Sequence, residues 1–135
     1  MLSDPPHLPI DVPNIHMTGY RPYHDLPRVV REFDVCIVPY RGTVLTHSCN
    51  PLKVYEYLAT GKPIVVTALE GLGQPAQVIE VAEDAPRFIA ATERALADPD
   101  AGRAERLAMA EACSWEVRTD QFECRLREAV EASRG

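Results

Sequence analysis

A chain of 135 residues, 46% hydrophobic and 25% charged, is long enough for one domain with its own core and has a globular composition. Its net charge of -6 speaks against nucleic-acid binding, which needs concentrated positive charge. No apolar run approaches the roughly 20 residues of a bilayer span, and the opening MLSDPPHLPIDVP lacks the basic start and apolar block of a secretory signal.

Residues 1–13 carry Pro5, Pro6, Pro9 and Pro13 and read as an extended, proline-rich lead-in. NIHMTGY, 14–20, reads as a short strand closed by Gly19. HDLPRVVREF then predicts a helix with Asp25 as N-cap and Pro27 in its first turn. Leu26, Val29, Val30 and Phe33 recur at helical spacing and predict a buried face. DVCIVPY, 34–40, is a near-continuous apolar run, the pattern of a strand covered on both faces of a parallel sheet.

RGTVLTHSC reads as a polar loop, followed by a helix over 51–60 that stops at Gly61, a suitable left-handed C-cap. KPIVVT predicts a second doubly covered strand, ALEGLGQPAQ a turn-rich loop, and VIEVAED a further strand. Asp84 caps a helix whose apolar face is marked by Phe88, Ile89, Thr92 and Leu96. DPDAG at 98–102 breaks it, and another helix runs over 102–112. Ser114 caps a last helix expected to bury Trp115, Phe122, Leu126 and Val130. The order predicts an α/β fold with a parallel sheet and flanking helices, ending in C-terminal helices; the domain occupies 14–135.

The cysteines at 36, 49, 113 and 124 show no C-x-x-C spacing, and the histidines do not cluster with them, so no metal site is expected. Cys36 reads as a small core residue, and a reduced, cytoplasmic setting fits. Cys113 and Cys124 receive no role.

The chemistry concentrates in NPLKVYEYLATGKPIVVT, 50–67. With Asn50 as N-cap and Pro51 first in the helix, the amides of Leu52 and Lys53 point outward. The helix dipole and the Lys53 charge then make an anion site of the kind that holds diphosphate. Glu56, one turn on, can accept two hydrogen bonds from a ribose diol. The same residues also permit a plain helix cap and a Lys53–Glu56 surface ion pair. Tyr55 and Tyr57 read as packing residues, and Gly71-Leu72-Gly73 as a turn. His47 and Ser48 lie in a loop that could approach a ligand, or stay solvated. The G-x-S-x-G, H-E-x-x-H and Walker A patterns are absent.

The succession NIHMTGYRPYHDLP, FDVCIVPYR, NPLKVYEYLATGKPIVVT, closed by a helix led by Ser114-Trp115, resembles the C-terminal domain of GT-B-fold glycosyltransferases of group 1, or family 4, over residues 14–130. The resemblance implies a Rossmann-like domain that binds a nucleotide-sugar donor, whose sugar passes to an acceptor hydroxyl, usually with retention. It implies no cofactor and no bound metal. Glu56 matches the second of the family's two glutamates, which holds the ribose hydroxyls. Ser48 stands where the first, near the donor sugar, is found, and Cys49 lies beside it; at this position the chain departs from the family pattern. Leu52 and Lys53 match the resting place of the diphosphate, next to Asn50.

By the same resemblance the chain is the later part of a donor domain. NIHMTGY corresponds to strand three and DVCIVPY to strand four of the order 3-2-1-4-5-6, so strands one and two, an Arg/Lys phosphate pair and the N-terminal acceptor domain are expected in cis or in trans. The catalytic residues beyond this chain are unassigned. The isolated chain is expected to be inactive and marginally stable, with open sheet edges. Peripheral membrane association of the full enzyme fits a lipid acceptor, and nucleic acid is not expected as a partner. The alternative is a non-catalytic nucleotide-binding or subunit-pairing module.

Overall fold

The computed structural model describes residues 12–133. Most of the proline-rich lead-in read over 1–13 lies outside the described residues, as do the last two residues of the domain read over 14–135. The chain forms helix α1 (Leu26–Arg31), strand β1 (Cys36–Val38), helices α2 (Val44–His47) and α3 (Leu52–Leu58), and strands β2 (Ile64–Thr67) and β3 (Glu80–Ala82). Helices α4 (Ala85–Ala97), α5 (Arg103–Ala112) and α6 (Trp115–Ser133) follow. The strands make a three-stranded parallel sheet in the order β1-β2-β3. This is the α/β layering expected of a Rossmann-like domain: a parallel sheet flanked by helices.

The pairing register explains the layers. Cys36 lies opposite Ile64, and Val38 opposite Val66, so these four side chains share one face. They are buried with Val30 of α1 and with Val54 and Leu58 of α3 in the main core. Val65 points the other way and is buried against Ala91 and Ala95 of α4. Alanines at this contact let α4 approach the strands closely. Arg94 of α4 reaches Glu80 at the β3 edge, 2.9 Å away.

Four expectations are corrected. Residues 14–20 form no strand, and Ile15 and Met17 are exposed; an extended segment becomes a strand only when a neighbour completes its ladder. β1 is covered on one face only, since α4 lies over β2 and β3 and leaves Ile37 48% exposed. The buried stripe of α4 is Ala91 and Ala95 with half-buried Phe88, while Ile89 and Leu96 are exposed. On α6 no residue is buried, and Trp115, Phe122, Leu126 and Val130 are all exposed, because nothing among the described residues packs on their stripe.

The local punctuation follows the sequence more closely. Gly61 adopts φ 70 after α3. Asp84 accepts from the Arg87 amide at 2.8 Å and caps α4. The Val117 amide donates to Ser114 Oγ at 3.3 Å at the start of α6. Asp25 precedes α1 but its side chain makes no cap bond, because a 3-10 turn over Tyr23–Asp25 already leads into the helix.

Candidate functional site

In an open parallel sheet, ligands bind beyond the carboxyl ends of the strands. Here that edge carries two loops, 39–51 after β1 and 68–79 after β2. Thr67 Oγ1 at the end of β2 reaches the Val38 carbonyl at the end of β1, 3.5 Å away. The first loop is not irregular throughout, as its composition suggested. Thr43 and Thr46 form a reciprocal capping box that starts α2, and Thr46 Oγ1 also donates to the Arg41 carbonyl at 2.6 Å. Threonine at both box positions was the missed signal.

The loops interlock through Gly71. A Cβ on that residue would stand 2.4 Å from the Cys49 carbonyl oxygen and 2.7 Å from that of Ser48. No side chain fits there, so the glycine read as part of a simple turn is a packing contact. Glu70, its neighbour, approaches His47 of the other loop, with Oε1 3.5 Å from Nδ1.

Helix α3 starts at this edge, and its cap differs from expectation. Pro51 is the N-cap and Leu52 the first helical residue. Asn50 lies one position too early to cap; its Nδ2 donates instead to Tyr55 Oη at 2.8 Å. Tyr55 is in turn covered by the Arg118 guanidinium, 5.1 Å from the ring centroid, and Arg118 Nε donates to the Cys113 carbonyl at 3.1 Å. Tyr55 therefore packs, as read, and ties the front of α3 to the start of α6. Leu52 and Lys53 keep first-turn amides with no carbonyl one turn earlier in the helix.

The opposite flank of α3 borders a cleft of about 660 Å³ beside α1 and residues 18–21. Lys53, Glu56, Tyr57 and Thr60 recur at i, i+3, i+4 and i+7 along this wall. Facing residues include Gly19, Arg21, Tyr23 and Arg31. No ion pair joins Lys53 to Glu56, the surface pair that the sequence also permits. Burial, then the charges of Cys36 and Glu56, push the Tyr57 hydroxyl above its ordinary pKa of 10.0 and keep it a neutral donor.

The structure thus divides the expected residues in two. Lys53 and Glu56 share the cleft. Ser48, Cys49, Asn50 and Leu52 lie outside its lining, on the loop rim at the front of α3. Cys49 is half-buried, its Sγ 3.5 Å from the Leu45 carbonyl. Arg21, Tyr23 and Arg31 were not singled out from sequence. For Arg21 and Tyr23 the signal is RPYHDLP, a basic and aromatic cluster just after Tyr20, which reads equally well as a strand end and a helix start. Leu26, Val29 and Phe33, expected in the core, line the same cleft. Among the described residues no His, Cys, Asp and Glu side chains converge in threes as a metal site needs, and no helix is long and apolar enough to cross a membrane.

Comparison with known proteins bears on this arrangement. Over 89 residues the chain is 37% identical to a protein of Bacillus subtilis (strain 168) provisionally named a teichuronic acid biosynthesis glycosyltransferase, TuaH. The match takes in 63% of this chain and 22% of that protein, so the chain spans about a fifth of the length of the curated relative it matches. No solved structure matches it. The family model for group 1 glycosyl transferases matches residues 4–98, a stretch that contains the cleft, both strand-end loops and the NPLKVYEYLATGKPIVVT block, and the chain belongs to that family.

Proposed function

We propose that this chain is the donor-binding part of a glycosyltransferase, and that the cleft beside α3 receives the nucleotide of a nucleotide-sugar. The carrying observation is that Lys53 and Glu56 line one cleft together with Arg21 and Tyr23. Cation, carboxylate and aromatic ring are the three groups a nucleoside diphosphate calls for. Glu56 accepts the ribose hydroxyls. Lys53 and the first-turn amides of α3 neutralise the diphosphate, both in the bound donor and as the leaving group when an acceptor hydroxyl attacks the anomeric carbon. Tyr23, 73% exposed at the cleft mouth, offers its ring to the base. Transfer proceeds with retention and without a bound metal.

The acceptor side comes from other polypeptide, in cis or in trans, consistent with a chain that spans 22% of its relative. On this reading the chain binds but does not turn over alone, and the assembled enzyme works in the cytoplasm, at a membrane face if the acceptor is a lipid. Calorimetric titration of the intact enzyme with nucleotide-sugars tests it. Glu56→Ala should weaken donor binding by about 1.5–3 kcal/mol, the scale of hydrogen bonds to a charged group. An unchanged dissociation constant would remove Glu56 from the site. Donor binding with no transfer in the presence of every acceptor-side partner would favour the non-catalytic binding module instead.

A further inference from the structure

Helix α3 carries Lys53 and Glu56 on its cleft wall, but with 7 residues it is too short to hold its own orientation. Its neighbours set which way that wall faces. Val54 and Leu58, both fully buried, anchor it to the main core along one line. A single line of contact leaves a helix free to roll about it. Tyr57 and Tyr55 flank that line by about 80° on either side, Tyr57 toward the cleft and Tyr55 away from it. Tyr55 is gripped from a distant part of the chain: the Arg118 guanidinium of α6 lies 5.1 Å over its ring. We propose that Tyr55 and Arg118 are positioning residues, a clamp that sets the roll of α3 and so presents Glu56 to the ligand in the cleft; this role rests on the donor-site reading above. The long stem of Lys53 absorbs a small roll, whereas the shorter Glu56 side chain does not.

Three features single out this contact. Arg118 is itself anchored, since its Nε donates at 3.1 Å to the carbonyl of Cys113, the buried C-cap residue of α5. Carbonyls at a helix end lack partners one turn on and attract a cation. A planar guanidinium can donate along its edge while its face covers a ring. Tyr55 in turn accepts from Asn50 Nδ2 at 2.8 Å, so one ring holds both the body of α3 and the residue that leads into it. Every described residue of α6 from Arg118 onward is exposed, so the grip of that helix on the rest of the chain gathers in its first turn. Arg106 ties the other end of α3 through the Gly61 carbonyl, but from a buried position; Arg118 is exposed and can be replaced without opening a gap in the core. It also lies beyond residues 4–98, the stretch that the family model matches.

Calorimetric titration of the intact enzyme with UDP, GDP and dTDP tests the clamp, on variants whose circular dichroism matches the parent's. Arg118→Met removes both the stack and the bond to Cys113. It should weaken the tightest-binding diphosphate about two- to fivefold, the scale of an exposed cation–π contact. In a Glu56→Ala background the same substitution should have no further effect, because a clamp that works by presenting Glu56 then has nothing to present. A merely structural role would weaken both backgrounds by the same factor. Arg118→Lys keeps the charge but cannot use edge and face together; it should also lose affinity, and it stands in if Arg118→Met does not fold. Parent affinity in a folded Arg118 variant, or an equal loss in the Glu56→Ala background, overturns the clamp while the donor site stands. Failure of UDP, GDP and dTDP alike to bind the parent overturns the donor-site reading and the clamp with it.

Discussion

Gly71 lies against the carbonyl group of Cys49 so closely that a Cβ on residue 71 would stand 2.4 Å from the oxygen. The contact joins the loop after β2 to the loop that delivers the chain into α3, and so couples two segments 22 positions apart. Gly71→Ala must push one loop away. Overpacking of this kind costs about 1–3 kcal/mol, and urea denaturation should register a loss in that range. A variant as stable as the parent would mean that the loops part freely.

Arg106 provides a second long-range tie. It is 5% exposed, and its guanidinium donates to the carbonyls of Gly61 at 3.0 Å, Ala101 at 2.6 Å and Pro99 at 3.2 Å. It thereby fixes α5 to the end of α3 and to the turn before α5. Arg106→Leu should destabilise the chain by about 1.5–3 kcal/mol, and Arg106→Lys should recover little, since an ammonium cannot reproduce the fork. Full recovery by lysine in thermal melts would reduce the residue to a point charge.

The pH dependence has a specific origin. Burial pushes the Cys36 thiol from 9.0 up to about 11, against smaller opposing pulls from Lys62 and Arg106. The folded chain therefore holds this proton more tightly than the unfolded chain. The stabilisation is fully present below pH 9.0 and is lost as pH rises through about 11, at up to about 1.4 kcal/mol per unit. Tyr57, shifted the same way, adds to the fall. Between these limits the parent should lose stability more steeply than Cys36→Ala; parallel pH profiles would show that the thiol is not shielded.

Helix α6 gives the sharpest contrast between pattern and packing. Phe122 sits on an apolar stripe yet is 64% exposed. Phe122→Ser should change the unfolding free energy of this chain by no more than about 0.5 kcal/mol, as at other open surface positions. A loss of about 3 kcal/mol or more is the signature of a buried phenylalanine, and would show that the stripe is covered.

The Asp84 cap is a local test. Asp84→Ala removes the acceptor of the Arg87 amide and should cost about 1 kcal/mol. No change in the melting temperature would mean that solvent replaces the cap without loss.

The features legible in the sequence share a short range. Caps at Asp84 and Ser114, the left-handed Gly61 and the apolar runs of β1 and β2 depend on hydrogen bonds or side chains within a few residues. The NPLKVYEYLATGKPIVVT block likewise placed Lys53 and Glu56 one turn apart on a helix, and hence on one wall. Where the local reading failed, two local options competed. Asn50 yielded the cap position to Pro51 and bonded Tyr55 instead.

What the tertiary structure alone decided is which apolar and polar faces found partners. Helical spacing marks a stripe on α4 and α6, but a stripe is buried only if something lies over it. Ala91 and Ala95 met Val65, whereas Leu126 and Val130 found no place in the core of the described residues. Residues 14–20 likewise join no strand among the described residues. The pairing of His47 with Glu70, of Gly71 with Cys49 and of Arg106 with Gly61 spans 22 to 45 positions. No periodicity encodes such contacts. They follow from the path of the chain across the sheet edge, which sequence spacing specifies only through the packing of the whole fold.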